Sequence, residues 1–232
     1  YNTTANASTA VGYTALYSNT TGQSQTAIGY QAGYYSNGGA STYLGYGAGY
    51  GDASGTSNTY LGYNSGPNGV TNASGSENTG VGRNALTALT TGNYNTVMGY
   101  QAGYSLTTSS YNVFLGHKAG YATTTSAGYS IAIGRAALYT QTTGTENTAV
   151  GQYALLYLTT GINNTTIGTG SGSAITTGSK NSILGGYNGN QNSLDIRTAN
   201  NYIVLSDGDG VPRMYWDNSA SEWYDTYGKV RA

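Results

Sequence analysis

Apolar and polar positions recur as one phrase along most of the chain: a polar residue, Thr, a variable residue, an aliphatic residue and then glycine. The aliphatic residues are Val11, Ile28, Leu44, Leu61, Val81, Met98, Leu115, Ile133, Val150, Ile167 and Leu184. The glycines that follow them, here called the spine, are Gly12, Gly29, Gly45, Gly62, Gly82, Gly99, Gly116, Gly134, Gly151, Gly168 and Gly185. Their spacing is 16 to 18 residues except for one interval of 20, between Gly62 and Gly82. Thr stands two places before the aliphatic residue in eight of the eleven phrases, and Asn, Ser or Gln precedes it in all of them. Three places after the spine glycine comes Ala or Ser in ten phrases, and the next residue is Leu or Gly in all eleven.

A period near 17 is too short for helix-pair repeats or propeller blades. Thr, Val, Ile and Tyr favour strands, whereas frequent Gly weakens helices. The spacing therefore predicts an all-β fold, a parallel β-solenoid or β-roll in which each phrase is one coil. Thr and the aliphatic residue, two apart, share one face of a strand. As the regular apolar residues, the aliphatic ones are expected to line the interior, so Asp in place of Ile133 or Val150 is expected to bury a charge. The spine glycine then permits a turn where a Cβ would be hindered. A second short strand is expected to hold the Ala, with a "TTG" or "TSAG" turn leading into the next phrase. Eleven coils rising about 4.8 Å each make a rod of about 50 Å. The long interval contains Pro67 and reads as a bulged loop at a coil corner. Small residues at the inner positions imply a thin interior, and one thin roll buries few large side chains, so association of several chains is expected.

Composition changes the picture in two ways. In 232 residues, 37 are Gly and 25 Tyr, only two are Pro and only 7% are charged, which suits order by repetition better than disorder. A net charge of −1 gives no basic footprint for nucleic acid and no cluster for a membrane surface. No cysteine is present for disulfides or thiolate metal sites, no apolar run has transmembrane length, and no signal peptide is visible. The chain opens on Tyr1, which reads as a processed product or an excerpt. Charge also marks a boundary: residues 1–189 hold seven charged side chains and 190–232 hold ten, with both Trp. The first segment is the repeat domain. The second reads as a β-hairpin cap or connector, since "YIVLSDGDGVPRMYW" has two strand runs about a Gly-rich turn and "DNSASEWY" suggests a third strand. Such a cap would cover the exposed end of the stack.

The lines "NTAVGQYA" and "TAIGYQAG" resemble the head repeats of trimeric autotransporter adhesins and very similar lines in phage tail-fibre proteins. The resemblance covers roughly residues 8 to 189. It implies a left-handed parallel β-roll, a homotrimer and a role in attachment to a host-cell glycan or outer-membrane receptor. The first small position of the adhesin pattern is kept at Ala15, Ala32, Ala102 and Ala154, while the second is commonly Tyr, as at Tyr17, Tyr34, Tyr104 and Tyr139. The last segment looks like those found after such repeats in tail fibres, and it carries no stalk heptads or membrane-barrel pattern. The resulting expectation is a non-enzymatic fibre segment, with a bacterial surface adhesin or extracellular fibril subunit as the alternative and a fibre-borne depolymerase as a third reading.

Candidate chemistry is sparse, and no catalytic, cofactor or metal site is expected. Asp207 and Asp209 in "SDGDG" lack the remaining ligands of a calcium loop and read as a hairpin turn. His117, the one histidine, stands where other phrases have Tyr and reads as a corner side chain. Asp52, Glu77 and Glu146 lie in different coils, which gives little support to paired-carboxylate chemistry within one chain. The "GTGSGSA" run at 168–174 continues the repeat without a phosphate-binding Lys. Tyr recurs directly after the spine glycine (Tyr13, Tyr30, Tyr46, Tyr63, Tyr100) and at the fifth place beyond it (Tyr17, Tyr34, Tyr50, Tyr104, Tyr121, Tyr139). Stacked coils would align these into ladders, either as structural stacks or as a surface for sugars. Thr alternates with an aliphatic residue, unlike the paired Thr ranks of ice-binding solenoids. Six N-x-[S/T] sequons start at Asn2, Asn6, Asn19, Asn72, Asn163 and Asn164.

Overall fold

The computed structural model describes residues 6–125, 128–225 and 228–229. It is all-β among these residues. Eleven three-residue strands end on the eleven aliphatic positions: β1 Thr9–Val11, β2 Thr26–Ile28, β3 Thr42–Leu44, β4 Thr59–Leu61, β5 Thr79–Val81, β6 Thr96–Met98, β7 Val113–Leu115, β8 Ile131–Ile133, β9 Thr148–Val150, β10 Thr165–Ile167 and β11 Ser182–Leu184. Each pairs in parallel with the next, phrase upon phrase, so Thr9 faces Thr26 and Val11 faces Ile28. The 20-residue interval does not disturb the stack, because Thr59 still pairs with Thr79.

After β11 a short antiparallel hairpin, β12 (Asn190–Gln191) and β13 (Leu194–Asp195), turns through Asn192 and Ser193, both at positive φ. The sheet then resumes. Strand β14 (Ile203–Ser206) pairs in parallel with β11 as a twelfth rung, and β15 (Pro212–Asp217), β16 (Glu222–Asp225) and β17 (Gly228–Lys229) follow antiparallel. The rise in charge near residue 190 therefore does not interrupt the sheet.

Two expectations are corrected. The stretch after the spine glycine, expected as a second strand, is a series of turns. Residues at the second and fourth places beyond the glycine adopt left-handed conformations, as at Thr14 (φ 51°) and Leu16 (φ 50°), and an extended strand cannot include them. Coils still bond there, for example through Gly103 N to Ala119 O at 2.9 Å. Of the expected "TSAG" turn, Ser126 and Ala127 lie outside the described residues.

The second correction concerns direction. Val11, Ile28, Leu44, Met98, Ile133, Ile167 and Leu184 are exposed, Val11 by 55%, while Leu61, Val81, Leu115 and Val150 are half-buried. The aliphatic column faces out of the coil. With a period of two, the variable residue between Thr and the aliphatic one must then face in, and Ala27, Tyr43, Tyr60, Val97, Phe114, Ala132 and Ala149 are all fully buried.

Inside the roll a column of carboxamides runs from rung to rung. Asn58, Asn78, Asn95, Asn112, Asn147, Asn164 and Asn181, each just before its strand, are buried. The Oδ1 of Asn95 accepts from the backbone N of Asn112 at 3.1 Å and from its Nδ2 at 3.0 Å. The Nδ2 of Asn95 also donates to Asn78 Oδ1 at 3.0 Å and to Ser109 O at 3.0 Å. Four rungs have Ser or Gln in place of this Asn: Ser8, Gln25, Ser41 and Ser130. In those same rungs the residue seven places after the spine glycine is Asn19, Ser36, Asp52 or Gln141. Where the Asn is present and the rung has ordinary length, that place is Leu89, Leu106, Leu158 or Ile175, with Thr123 as the exception; in the two lengthened rungs the buried Ala73 and Ile196 stand eleven places after Gly62 and Gly185. The substitute does the missing work: Gln141 Nε2 reaches Ser130 Oγ at 3.2 Å, and Asp52 Oδ2 accepts the Nδ2 of Asn58 at 2.9 Å.

Volume is balanced in the same way. The inward strand residue and the Leu or Gly four places after the spine glycine fill one space. Small residues pair with Leu (Gly80 with Leu86, Ala132 with Leu138, Ala149 with Leu155), and large ones with Gly (Tyr43 with Gly49, Tyr60 with Gly66, Phe114 with Gly120). A Cβ on Gly120 would lie 2.5 Å from the Phe114 ring. Ala27 with Gly33 departs from the rule because Tyr43 and Leu16 of the flanking rungs fill that gap. The spine glycines are held by contact as well as conformation: at Gly99, φ is 137° and a Cβ would lie 2.3 Å from Gly116 O.

The balance predicts a rescue. Phe114→Ala should cost about 3–5 kcal/mol in chemical denaturation, and Gly120→Leu alone should also destabilise by overpacking. The double variant recreates the Ala132–Leu138 arrangement and should recover a substantial part of the loss. A double variant no more stable than Phe114→Ala would refute the pairing rule.

Candidate functional site

The surface, rather than a pocket, is where this fold concentrates chemistry. On the outer face of the strands the Thr and aliphatic columns run side by side from β1 to β11, giving an apolar stripe along the whole rod.

Beyond the spine-glycine corner the tyrosines stack, as the periodicity predicts. Tyr13, Tyr30, Tyr46 and Tyr63 form one ladder with ring centroids 4.8 to 5.4 Å apart. Arg83 occupies the next place, 5.5 Å from the Tyr63 ring and 5.9 Å from Tyr100, so a cation–π contact continues the column. His117 follows, exposed and stacked 5.2 Å from Tyr100, in keeping with a corner side chain. In the second column Tyr17, Tyr34 and Tyr50 stack, and so do Tyr104, Tyr121 and Tyr139. A third ladder, absent from the sequence reading, consists of Tyr94, Tyr111 and Tyr129, 4.8 and 5.0 Å apart. Their signal is a shared place five residues before the spine glycine. Glu77 and Glu146 occupy the same column on either side. Inner rings of a ladder have both faces covered by neighbours and present only edges and hydroxyls, so most of the Tyr excess serves stacking.

The three acids of the repeat are kept apart. Glu77 and Glu146 face outward, four rungs or about 19 Å apart, whereas Asp52 is fully buried. Asp52 accepts from Tyr43 Oη at 2.9 Å, Asn58 Nδ2 at 2.9 Å and Gly55 N at 3.1 Å. Burial pushes its pKa up to about 6 against these hydrogen bonds. Burial, and then the Asp52 charge, also hold the Tyr43 phenol well above its usual range.

Asp207 lies in the turn between β14 and β15. It accepts from Val211 N at 2.9 Å and Asp209 N at 3.1 Å and pairs with Arg213 Nε at 2.8 Å. These bonds, the Val211 amide foremost, lower its pKa. No group of three or more His, Cys, Asp or Glu fit to hold a metal occurs among the described residues. In the 168–174 run, Gly172 makes room for packing: a Cβ there would lie 2.9 Å from Leu155 Cδ2. Of the sequon asparagines, Asn6, Asn72 and Asn163 are exposed, Asn19 and Asn164 are buried, and Asn2 lies outside the described residues.

Asp52 makes stability depend on pH with a sign opposite to that of most acids. Its folded pKa exceeds the unfolded value of 3.8, so the folded state binds the proton more tightly. The stabilisation is fully present below 3.8 and is lost as pH rises through about 6. The loss is about 3 kcal/mol at 1.36 kcal/mol per pKa unit. Denaturant titrations of wild type and Asp52→Asn from about pH 3.5 to about pH 7 span both the unfolded and the folded pKa. The two curves should differ by a component with that sign. Parallel curves would show that Asp52 carries no such proton linkage.

No family model, curated protein or solved structure matches the chain.

Proposed function

We propose that the chain is a structural segment of an extracellular homotrimeric fibre, of the phage tail-fibre kind, that holds a host-binding element away from the particle. The observation that carries this reading is the outward aliphatic column, repeated on every rung from Val11 to Leu184. Self-association is a natural way to cover a stripe as long as the rod, because a second copy presents the same stripe at the same spacing. Three copies follow from the resemblance of the repeat to trimeric adhesin heads and tail fibres. A rod of stacked rungs suits reach, and its repeated surface multiplies weak contacts into avidity. We read the fibre as non-enzymatic and as making no membrane insertion or nucleic-acid contact. A bacterial surface adhesin built on the same roll is the alternative.

Sedimentation of the purified chain should give about three times the 23.9 kDa monomer mass. Ile133→Asp with Val150→Asp should shift it to monomer, because charges in a packed seam are left without partners. The β-sheet circular dichroism should be retained, since neither side chain enters the coil. A double variant that still sediments as a trimer would exclude the stripe as the seam. Antibody labelling of fibres on viral particles supports the tail-fibre reading; labelling of the bacterial envelope instead supports the adhesin.

A further inference from the structure

The one irregular interval breaks the regular surface and opens a groove. Pro67 occupies the column where Tyr17, Tyr34 and Tyr50 stand in the preceding rungs, so the second ladder stops at Tyr50. Tyr34 stacks on Tyr50 at 5.2 Å and Tyr35 meets it by an edge at 5.2 Å and 80°. The next place holds the buried Pro67, and tyrosine returns to the column only at Tyr104. Across from Tyr50 stand Tyr46 and Tyr63 of the first ladder, and Gln31, Asn64 and Asn68 line the space between, about 240 Å³. Gly47 lets the two carboxamides pack close against the backbone: a Cβ there would lie 2.4 Å from Asn64 Oδ1 and 3.1 Å from Asn68 Nδ2. Gln31, Asn84, Gln101, Lys118 and Tyr153 carry side chains at the corresponding place of other rungs.

The lining is neutral and made of two complementary kinds of group. Tyrosine rings supply apolar surface with a hydroxyl at the rim. Three carboxamides supply paired donors and acceptors. Asn68 Nδ2 donates to Gly47 O at 3.3 Å, and the covered Asn64 Oδ1 accepts no hydrogen bond. An unsatisfied buried acceptor costs free energy that an incoming hydroxyl can recover once the carboxamide turns toward it. A ligand with one C–H face and a ring of hydroxyls, carrying no charge, matches this arrangement. The groove lies past the spine-glycine corner, on a different face of the coil from the aliphatic stripe.

We propose that this groove is a binding subsite for a neutral hexose-containing oligosaccharide, with Tyr46, Tyr50 and Tyr63 as its aromatic wall and Asn64 and Asn68 as its hydroxyl partners. The assignment takes its biological setting from the fibre reading above.

Calorimetric titration of the assembled protein with maltotetraose, lactose-series tetrasaccharide and chitotetraose should give saturable binding of at least one. Sialyllactose, the anionic control, should bind more weakly. Asn68→Ala and Tyr50→Ala should each weaken binding about tenfold, the upper end of one hydrogen bond's worth. Tyr139→Ala, which ends a ladder elsewhere, should not change it. In wild type, the side-chain amide resonances of Gln31, Asn64 and Asn68 should shift on addition of the sugar, a readout that needs no variant to fold. Absence of saturable binding by all three neutral probes, stronger binding of sialyllactose, unmoved amide resonances, or wild-type affinity in both groove variants would each overturn the assignment. If labelled particles carry the rod while the groove binds no sugar, only the groove assignment falls. If the groove binds sugar but no extracellular fibre carries the rod, the fibre reading falls instead.

Discussion

A buried primary amide is costly unless both its oxygen and its nitrogen find partners, and here the partners exist only when one coil lies directly over the next. Asn95 meets that demand with Asn78 below, Asn112 above and the Ser109 carbonyl beside it. A slip by one residue would bring the neighbouring Thr into line and leave both ends of the amide dry. Burial of Ala and Leu rewards closeness without specifying alignment. The amide column supplies alignment, and the strands, glycine contacts and external ladders inherit it.

Other features follow from that constraint. Stacked coils place like on like, so tyrosines at equal positions become ladders whether or not a ligand is present. Spine glycines come so close to the next rung that a Cβ at Gly151 would lie 2.3 Å from Gly168 O. When the column loses an Asn, the rung restores the lost bonds from its far side. Asn19 and Gln141 do this with neutral amides, while Asp52 does it with an acid. The proton linkage of Asp52 thus originates in a repair of the column. The repair uses an acceptor that loses water on burial and gains no cation in return.

The outward stripe and the inward column divide the chemistry of the phrase. Apolar side chains on the outer strand face leave the single roll with an uncovered surface. The residues that seal its interior are Ala, Leu and Ile, a few aromatic rings and hydrogen-bonded Asn. The C-terminal strands continue the same sheet: Tyr202 N donates to Asn181 Oδ1 at 3.0 Å before the chain reverses at Asp207. The end of the repeat text is therefore not the end of the stack.

Much of the architecture was legible in the residues. The period of the spine glycines specified eleven of the twelve parallel rungs, their pairing and the alignment of Tyr30 over Tyr13, because a near-regular repeat stacked on itself brings like positions together. The direction of the side chains was not legible. Leu44 and Ile133 are the regular apolar residues and invite an inward assignment, whereas the true inward position runs through Ala, Tyr, Gly, Val, Phe and Thr and looks unconstrained. Its partner, Leu or Gly six residues later, supplies the missing volume only once the coil closes. The groove beside Tyr50 was equally hidden, since it depends on where Pro67 interrupts a ladder and on how closely Asn64 and Asn68 approach Gly47. Periodicity is a property of the chain, but volume and hydrogen-bond complementarity between distant positions exist only after folding brings them together.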